Sequence, residues 1–325
     1  MKEKQEKKAG ASPGRTIPPP ADPKCRKQPL PWQQPKPHEE DPEASRRLQQ
    51  ILESPSYRQA DEDVDFFLAL DETRGVRLQI DYLKAELLLE RQNIKHTIVV
   101  FGSTRIREPE AARRRVKDLG AKVGADPGNE VLREQLSIAE RLLAKSRYYD
   151  VAREFGRMVG NAGKGPDDGR LMLITGGGPG MMEAANRGAC DVDARSIGLN
   201  ITLPHEQYPN PYITPELCFR FHYFAVRKLH FLLRARALVA FPGGYGTFDE
   251  LFETLTLIQT RKMPPVPVVL VGRNYWKKVF NVDFMVAEGV IDPEDKELFW
   301  FAETAEEIWQ GILSWHQTNG TLLMK

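Results

Sequence analysis

The sequence predicts an α/β fold: a Rossmann-like doubly wound parallel sheet with helices on both faces, preceded by a helical N-terminal extension. Three observations carry this reading. Short, continuously apolar runs such as HTIVVF at 96–101 and LMLIT at 171–175 read as strands buried on both faces. They alternate with longer stretches of helical periodicity, the pattern of parallel βαβ units. Three of the runs end in glycine-rich turns, FGSTR, TGGGPGMME and FPGGYGTFDE. Sheets of this type bind ligands beyond the carboxyl ends of their strands.

Taken in order, residues 1–40 stand apart. They hold nine of the 24 prolines, nine Lys/Arg and five Asp/Glu, with few apolar residues. Such a segment buries too little surface to offset its ordering entropy, so it predicts a disordered, basic tail. Residues 41–94 form the predicted helical extension, with Phe66, Leu70, Leu78, Tyr82, Leu83, Leu87 and Leu88 at helical spacing over 61–92. The Rossmann-like domain follows over 95–325. Its predicted strands are 96–101, 171–175, 196–202, 218–221, 237–241, 266–272 and a short one at 299–302. The connecting helices include an amphipathic run over 130–159, MMEAANRGACD at 181–191, one over 223–236, one starting near Phe248, and a last one over 305–315.

Composition removes several classes. The 325 residues carry 46 Lys+Arg against 45 Asp+Glu, a net charge of +1, which is too balanced for a protein that coats nucleic acid. No run of 18 apolar residues exists to span a membrane, and no apolar stretch near the N-terminus reads as a secretory signal. Cys25, Cys190 and Cys218 are far apart and form no CxxC, which fits a reducing cytoplasm and neither a disulfide framework nor a cysteine-rich zinc site. The six histidines make no close ligand pair; His205, His222 and His230 read as structural or peripheral, and no metal or cofactor is expected.

Glycine at a strand-to-helix turn lets a ligand approach the backbone, and the helix behind it offers unpaired N–H groups and partial positive charge. Together these make an anion site, most often for phosphate. Candidate ligand contacts are Gly102 and Ser103 in the first turn, Gly177, Gly178 and Gly180 in the second, and Gly243, Gly244, Gly246 and Thr247 in the third. No Walker loop is present, since Gly163-Lys164-Gly165 lacks the spacing and the hydroxyl. The dinucleotide fingerprint is missing too: the first turn is GSTR, and the strand after the second ends Asn200-Ile201-Thr202 without a carboxylate for a ribose diol. A mononucleotide or sugar phosphate fits better. Asp249 reads as a partner of the helix dipole. Glu250 reads as functional, because a glutamate beside a phosphate loop suits a site where positive charge develops. Arg227-Lys228 is a plausible counter-charge, and Glu183 shares the ambiguity of the acidic pair.

PGGYGTFDE at 242–250 resembles the PGGxGTxxE signature of the Lonely Guy (LOG) family. GGGPGMMEAANRGA at 176–189 is similar to its other glycine-rich segment, and FAVRK at 224–228 to its Arg-Lys element. The likeness covers roughly 95–315. It implies a phosphoribohydrolase that releases the base from a nucleoside 5′-monophosphate, AMP or a cytokinin riboside monophosphate. Arg227 and Glu250 would be the catalytic pair, with Lys228 beside them. Gly243, Gly244, Gly246 and Thr247 would bind the ribose 5-phosphate, and Thr256 would contact substrate. It also implies a homodimer or higher even oligomer. Members are often labelled lysine decarboxylases, but the chain shows no pyridoxal-phosphate arrangement and no evident Schiff-base lysine. The second loop, the long segment between the first two strands and the N-terminal extension depart from the short plant pattern and point to a longer bacterial-type member. The alternative is a nucleotide- or cofactor-binding carrier of the same fold without turnover.

Overall fold

A computed structural model describes residues 41–57, 64–163, 171–203 and 208–323. The basic tail predicted over 1–40, His205 and Lys164-Gly165 lie outside them. The chain divides into two compact units after Leu70. The first contains helices α1 (Ala44–Leu52) and α2 (Val64–Ala69). The second contains α3 (Arg74–Arg91), β1 (His96–Phe101), α4 (Pro109–Ala125), α5 (Glu130–Lys145), α6 (Arg147–Ala162) and β2 (Leu171–Thr175). It continues with α7 (Met181–Cys190), β3 (Ser196–Ile201), β4 (Cys218–Phe221), α8 (Phe224–Leu232), β5 (Ala235–Ala240) and α9 (Tyr245–Gln259). It closes with β6 (Val268–Val271), α10 (Arg273–Val279), α11 (Val282–Ala287), β7 (Trp300–Ala302) and α12 (Ala305–Thr318).

The seven strands form one sheet in the order β4-β3-β2-β1-β5-β6-β7, and every neighbouring pair is parallel. The order reverses at β1: the chain runs outward to β4, then returns to the other flank of β1 as β5. Alternate side chains of each strand enter opposite cores. Ile98 and Val100 of β1 pack with Tyr149, Phe155 and Ala184 under α6, α7 and α12. Val99 and Phe101 pack with Leu89, Phe231, Leu251 and Trp276 under α3, α8, α9 and α10. Both faces are therefore covered, as the unbroken apolar runs require.

Helix α3, the last part of the predicted helical extension, packs onto this core. Ala85 and Leu89 are buried. Glu86 takes both Arg234 guanidinium nitrogens at 2.9 and 2.6 Å, and Asp81 accepts the backbone N–H groups of His222 and Tyr223. The predicted run over 130–159 is two helices, broken where Ser146 Oγ donates to the Leu143 carbonyl at 2.7 Å. The helix read over 223–236 ends at Leu232, because Ala235 already pairs with Thr97 across a register shift in β1. The helix expected near Phe248 starts at Tyr245.

Candidate active site

At the carboxyl ends of β1, β2, β3 and β5 lies a cleft of about 650 Å³, within the usual size of a small-molecule site. It sits at the point where strand order reverses, between β1 and β5, where open α/β sheets leave a crevice. All three glycine turns border it.

The turn between β5 and α9 supplies the floor. Gly243 is packed so closely that a Cβ there would lie 2.0 Å from Thr247 Oγ1, whereas a Cβ at Gly244 or Gly246 would meet nothing within 4 Å. The N–H groups of Thr247 and Phe248 are taken by the Gly244 carbonyl at 2.9 and 3.1 Å, which leaves those of Tyr245 and Gly246 at the positive end of the α9 dipole, beside the cleft. Tyr275, from α10, donates its hydroxyl to the Gly243 carbonyl and holds the turn from behind.

The turn between β2 and α7 is built differently. Gly177 and Gly180 have φ of +71° and +74°, a region that costs other L-residues energy. A buried polar cluster fixes its shape. Thr175 Oγ1 donates to Asn186 Oδ1 at 2.7 Å and accepts the Gly177 N–H at 3.0 Å. Asn210 Nδ2 donates to Asn186 Oδ1 at 3.0 Å and to the Gly178 carbonyl at 3.1 Å. Asn186 Nδ2 in turn donates to Ser196 Oγ at 2.9 Å. Satisfied buried networks of this kind rigidify the backbone that they hold.

Between the turns stand Arg227 of α8 and Glu250 of α9, brought from 23 positions apart to an Nη2–Oε1 distance of 3.2 Å. Both side chains are almost wholly buried, 12% and 6% exposed. The guanidinium lies over the rings of Phe224 and Phe231, 4.7 and 5.6 Å from their centroids. Its Nε is buried without a hydrogen-bond partner among the described residues, so the group has donor capacity left for a ligand. Burial raises the Glu250 carboxyl to about 7, against the pull of Arg227 and Lys228 toward the ionised form. Because α9 starts at Tyr245, Glu250 lies in its second turn, where the dipole effect has largely faded. A dipole partner is thus the weaker account of it. The site combines an anion cradle with a buried acid poised to change charge near neutrality.

The structure brings Gly102, Ser103, Gly178, Gly243, Gly244, Gly246, Thr247, Arg227 and Glu250 to the cleft. Gly177 and Gly180 do not line it; they pack against Asn200 and Ser103, which do. Three other candidates stand elsewhere. Glu183 points back into the helix layer and accepts from the Tyr149 hydroxyl at 2.8 Å. Lys228 turns away from Arg227 to pair with Asp249 at 2.8 Å and Glu253 at 3.1 Å. Thr256 is exposed on the outer face of α9. Of the histidines, His230 is enclosed between Tyr82 and Phe221. Asn200 and Tyr275, which no motif marks, and Met182 and Phe224, which lie inside motifs but are not among the candidates, also line the cleft. Among the described residues no cluster of three or more His, Cys, Asp or Glu could hold a metal ion.

The family described as "Possible lysine decarboxylase" matches residues 182–312. Cytokinin riboside 5′-monophosphate phosphoribohydrolase LOG3 of Arabidopsis thaliana is 30% identical over 169 residues, covering 50% of this chain and 74% of the relative. The corresponding LOG protein of Oryza sativa subsp. japonica is 29% identical over 168 residues, 50% of this chain and 65% of the relative. Among solved structures, the molybdenum cofactor binding protein of Rippkaea orientalis aligns with 68% of this chain and 96% of its own at 16% identity and a TM-score of 0.38. At that score it adds nothing to the fold, which rests on the sheet itself.

Proposed function

The chain belongs to the Lonely Guy (LOG) family, and from that premise we propose that it hydrolyses the N-glycosidic bond of a nucleoside 5′-monophosphate to free base and ribose 5-phosphate. The observation that carries the proposal is the Arg227–Glu250 pair, 3.2 Å apart, one helical turn behind an open glycine cradle. The ribose 5-phosphate would sit on the N-terminus of α9 against Gly244, Gly246 and Thr247. As the C1′–N bond breaks, the sugar takes on oxocarbenium character. The Glu250 carboxylate stabilises that charge and orients the water that adds to C1′, while the departing base takes up a proton. Arg227 holds the phosphate or assists departure of the base. The apolar side of the cleft, with Met182, Ile201 and Phe224, offers a surface for a purine. AMP and cytokinin riboside 5′-monophosphates are the proposed substrates. The family's description as a possible lysine decarboxylase finds no support at Lys228, the lysine next to Arg227, which is engaged by two carboxylates.

A homodimer or higher even oligomer is part of the same proposal. Val76, Ile80, Leu83 and Leu87 form an exposed apolar stripe along the outer face of α3, a face that a second copy would cover. Light scattering should show a mass above that of the 36.9 kDa chain. No helix among the described residues is long and apolar enough to cross a membrane, and a cytoplasmic setting, where such nucleotides occur, is the proposed one.

The deciding experiment is a panel of nucleoside 5′-monophosphates and matching nucleosides, with free base separated by chromatography. Base release from AMP and not from adenosine is expected. Equal cleavage of adenosine would remove the phosphate site from the mechanism. Tight AMP binding without any base release would favour a nucleotide carrier instead.

A further inference from the structure

At the opposite end of the sheet, under the amino ends of β1 and β5 and beside the loop into β6, lies a second cavity of about 600 Å³. Its walls are apolar, with Leu232, Leu257, Met263, Pro265 and the half-buried ring of Trp315. Its charges are one-sided. Among the described residues the only carboxylate on the lining is Glu253, which is engaged with Lys228 at 3.1 Å. Arg234 is likewise neutralised, held by Glu86. Lys95, Arg236 and Lys262 line the same cavity, and among the described residues none of them forms an ion pair.

Arg236 is the most informative of the three. Its Nε donates to His96 Nδ1 at 3.0 Å. Burial keeps His96 below its ordinary pKa, with Arg236 acting in the same direction, so the ring is a neutral acceptor that orients the guanidinium without cancelling its charge. The Arg236 backbone is fixed as well, since its carbonyl lies 2.9 Å from His316 Nε2. A half-buried guanidinium, held in place and without a counter-charge among the described residues, loses hydration with little electrostatic return unless an anion joins it. Lys95 and Lys262 at the rim add to the same field.

We propose that this cavity is a second ligand site, for a small anion carrying a flat apolar or aromatic body. The anionic group would be taken by Arg236 with Lys95 and Lys262, and the body would lie between Trp315 and the aliphatic wall. The site is separate from the cleft: α8 and α9 present Arg227 and Glu250 to one and Lys228 and Glu253 to the other. The inference stands whether or not the chain is a hydrolase.

The test uses the full-length protein and a fluorescent probe of that chemistry, 8-anilinonaphthalene-1-sulfonate. Saturable binding is expected, weakened at least tenfold by Arg236→Gln, several-fold by Lys95→Gln with Lys262→Gln, and by added salt. Lys117→Gln, remote from the cavity, should change nothing. The double lysine variant alters only exposed side chains, so it decides the matter if Arg236→Gln fails to fold. Absence of saturable binding, or the same affinity in the Arg236 and double lysine variants as in the parent, would overturn the proposal. Equal affinity for uncharged N-phenyl-1-naphthylamine would overturn it too, by showing a merely apolar groove suited to a protein partner.

Discussion

A side-chain carbon added at Gly177 would lie 2.1 Å from Asn200 Oδ1, and one at Gly180 would lie 2.4 Å from the Ser103 carbonyl oxygen. In the turn after β5, the same carbon at Gly244 or Gly246 would enter open space. Gly244 has an ordinary extended backbone, φ −99°, and Gly246 lies in the first turn of a helix. Neither of these two conformations demands glycine. The turn after β2 keeps its glycines because the protein itself fills the space. The turn after β5 keeps two of its glycines where only something outside the protein could. Similar glycine-rich strings are thus packed shut in one place and left open in the other.

The comparison breaks or sharpens first at Glu250, which belongs to the open turn. Glu250→Gln should lower turnover on the order of 100-fold or more, as loss of an electrostatic stabiliser does, while nucleotide affinity holds or tightens. Steady-state kinetics and AMP binding on one preparation decide this, and near-normal turnover would return Glu250 to a structural role. The same residue sets a pH profile. With its carboxyl raised to about 7, kcat/KM should climb about tenfold per pH unit below that value and level above it. A fall instead would mark the protonated acid as the working form. The folded state holds this proton more tightly than the unfolded chain, so the contribution of Glu250 to stability declines as pH rises from 4.5 to about 7. Gln at this position should remove that slope from urea denaturation.

Next in size is Gly180→Ala. Positive φ and a backbone clash together should cost at least about 2 kcal/mol, seen as a lower urea midpoint, with the catalytic constants of the surviving folded fraction little changed. The smallest effect, and the sharpest, is Gly246→Ala. Alanine in a helix should raise stability by about 0.5–1 kcal/mol, yet its methyl would stand in the cradle and weaken AMP binding roughly tenfold. A variant that is both more stable and equally good at binding would dissolve the contrast between the two turns.

The central strands were readable because a sheet covered on both faces is apolar along nearly its whole length; β1 and β2 match their sequence runs residue for residue. The glycine turns at the strand ends were readable because glycine declares itself by type. Which side chains reach the cleft was less so, since helix phase depends on where a helix starts. A reading that begins near Phe248 puts Glu250 in the first turn, and the observed start at Tyr245 moves it to the second. Six residues on, Thr256 is rotated by about 240° onto the outer face. Lys228, a single step of about 100° from Arg227, meets a different cavity. Asn200 and Tyr275 come from a strand end and a later helix and carry no spacing signal, so only the folded chain places them.

The early start of α9 puts Thr247 and Glu250 on one side of the helix, three residues and about 4.5 Å apart along its axis. In the proposed reaction that interval is a measuring gauge. With a phosphate stopped at the mouth of the helix, the gauge fixes which atom of the ligand stands opposite the carboxylate. A bare nucleoside has nothing to stop against. A nucleoside diphosphate, seated by its outer phosphate, carries its sugar past the mark. Selection by length therefore follows from where one helix begins, before any contact with the base.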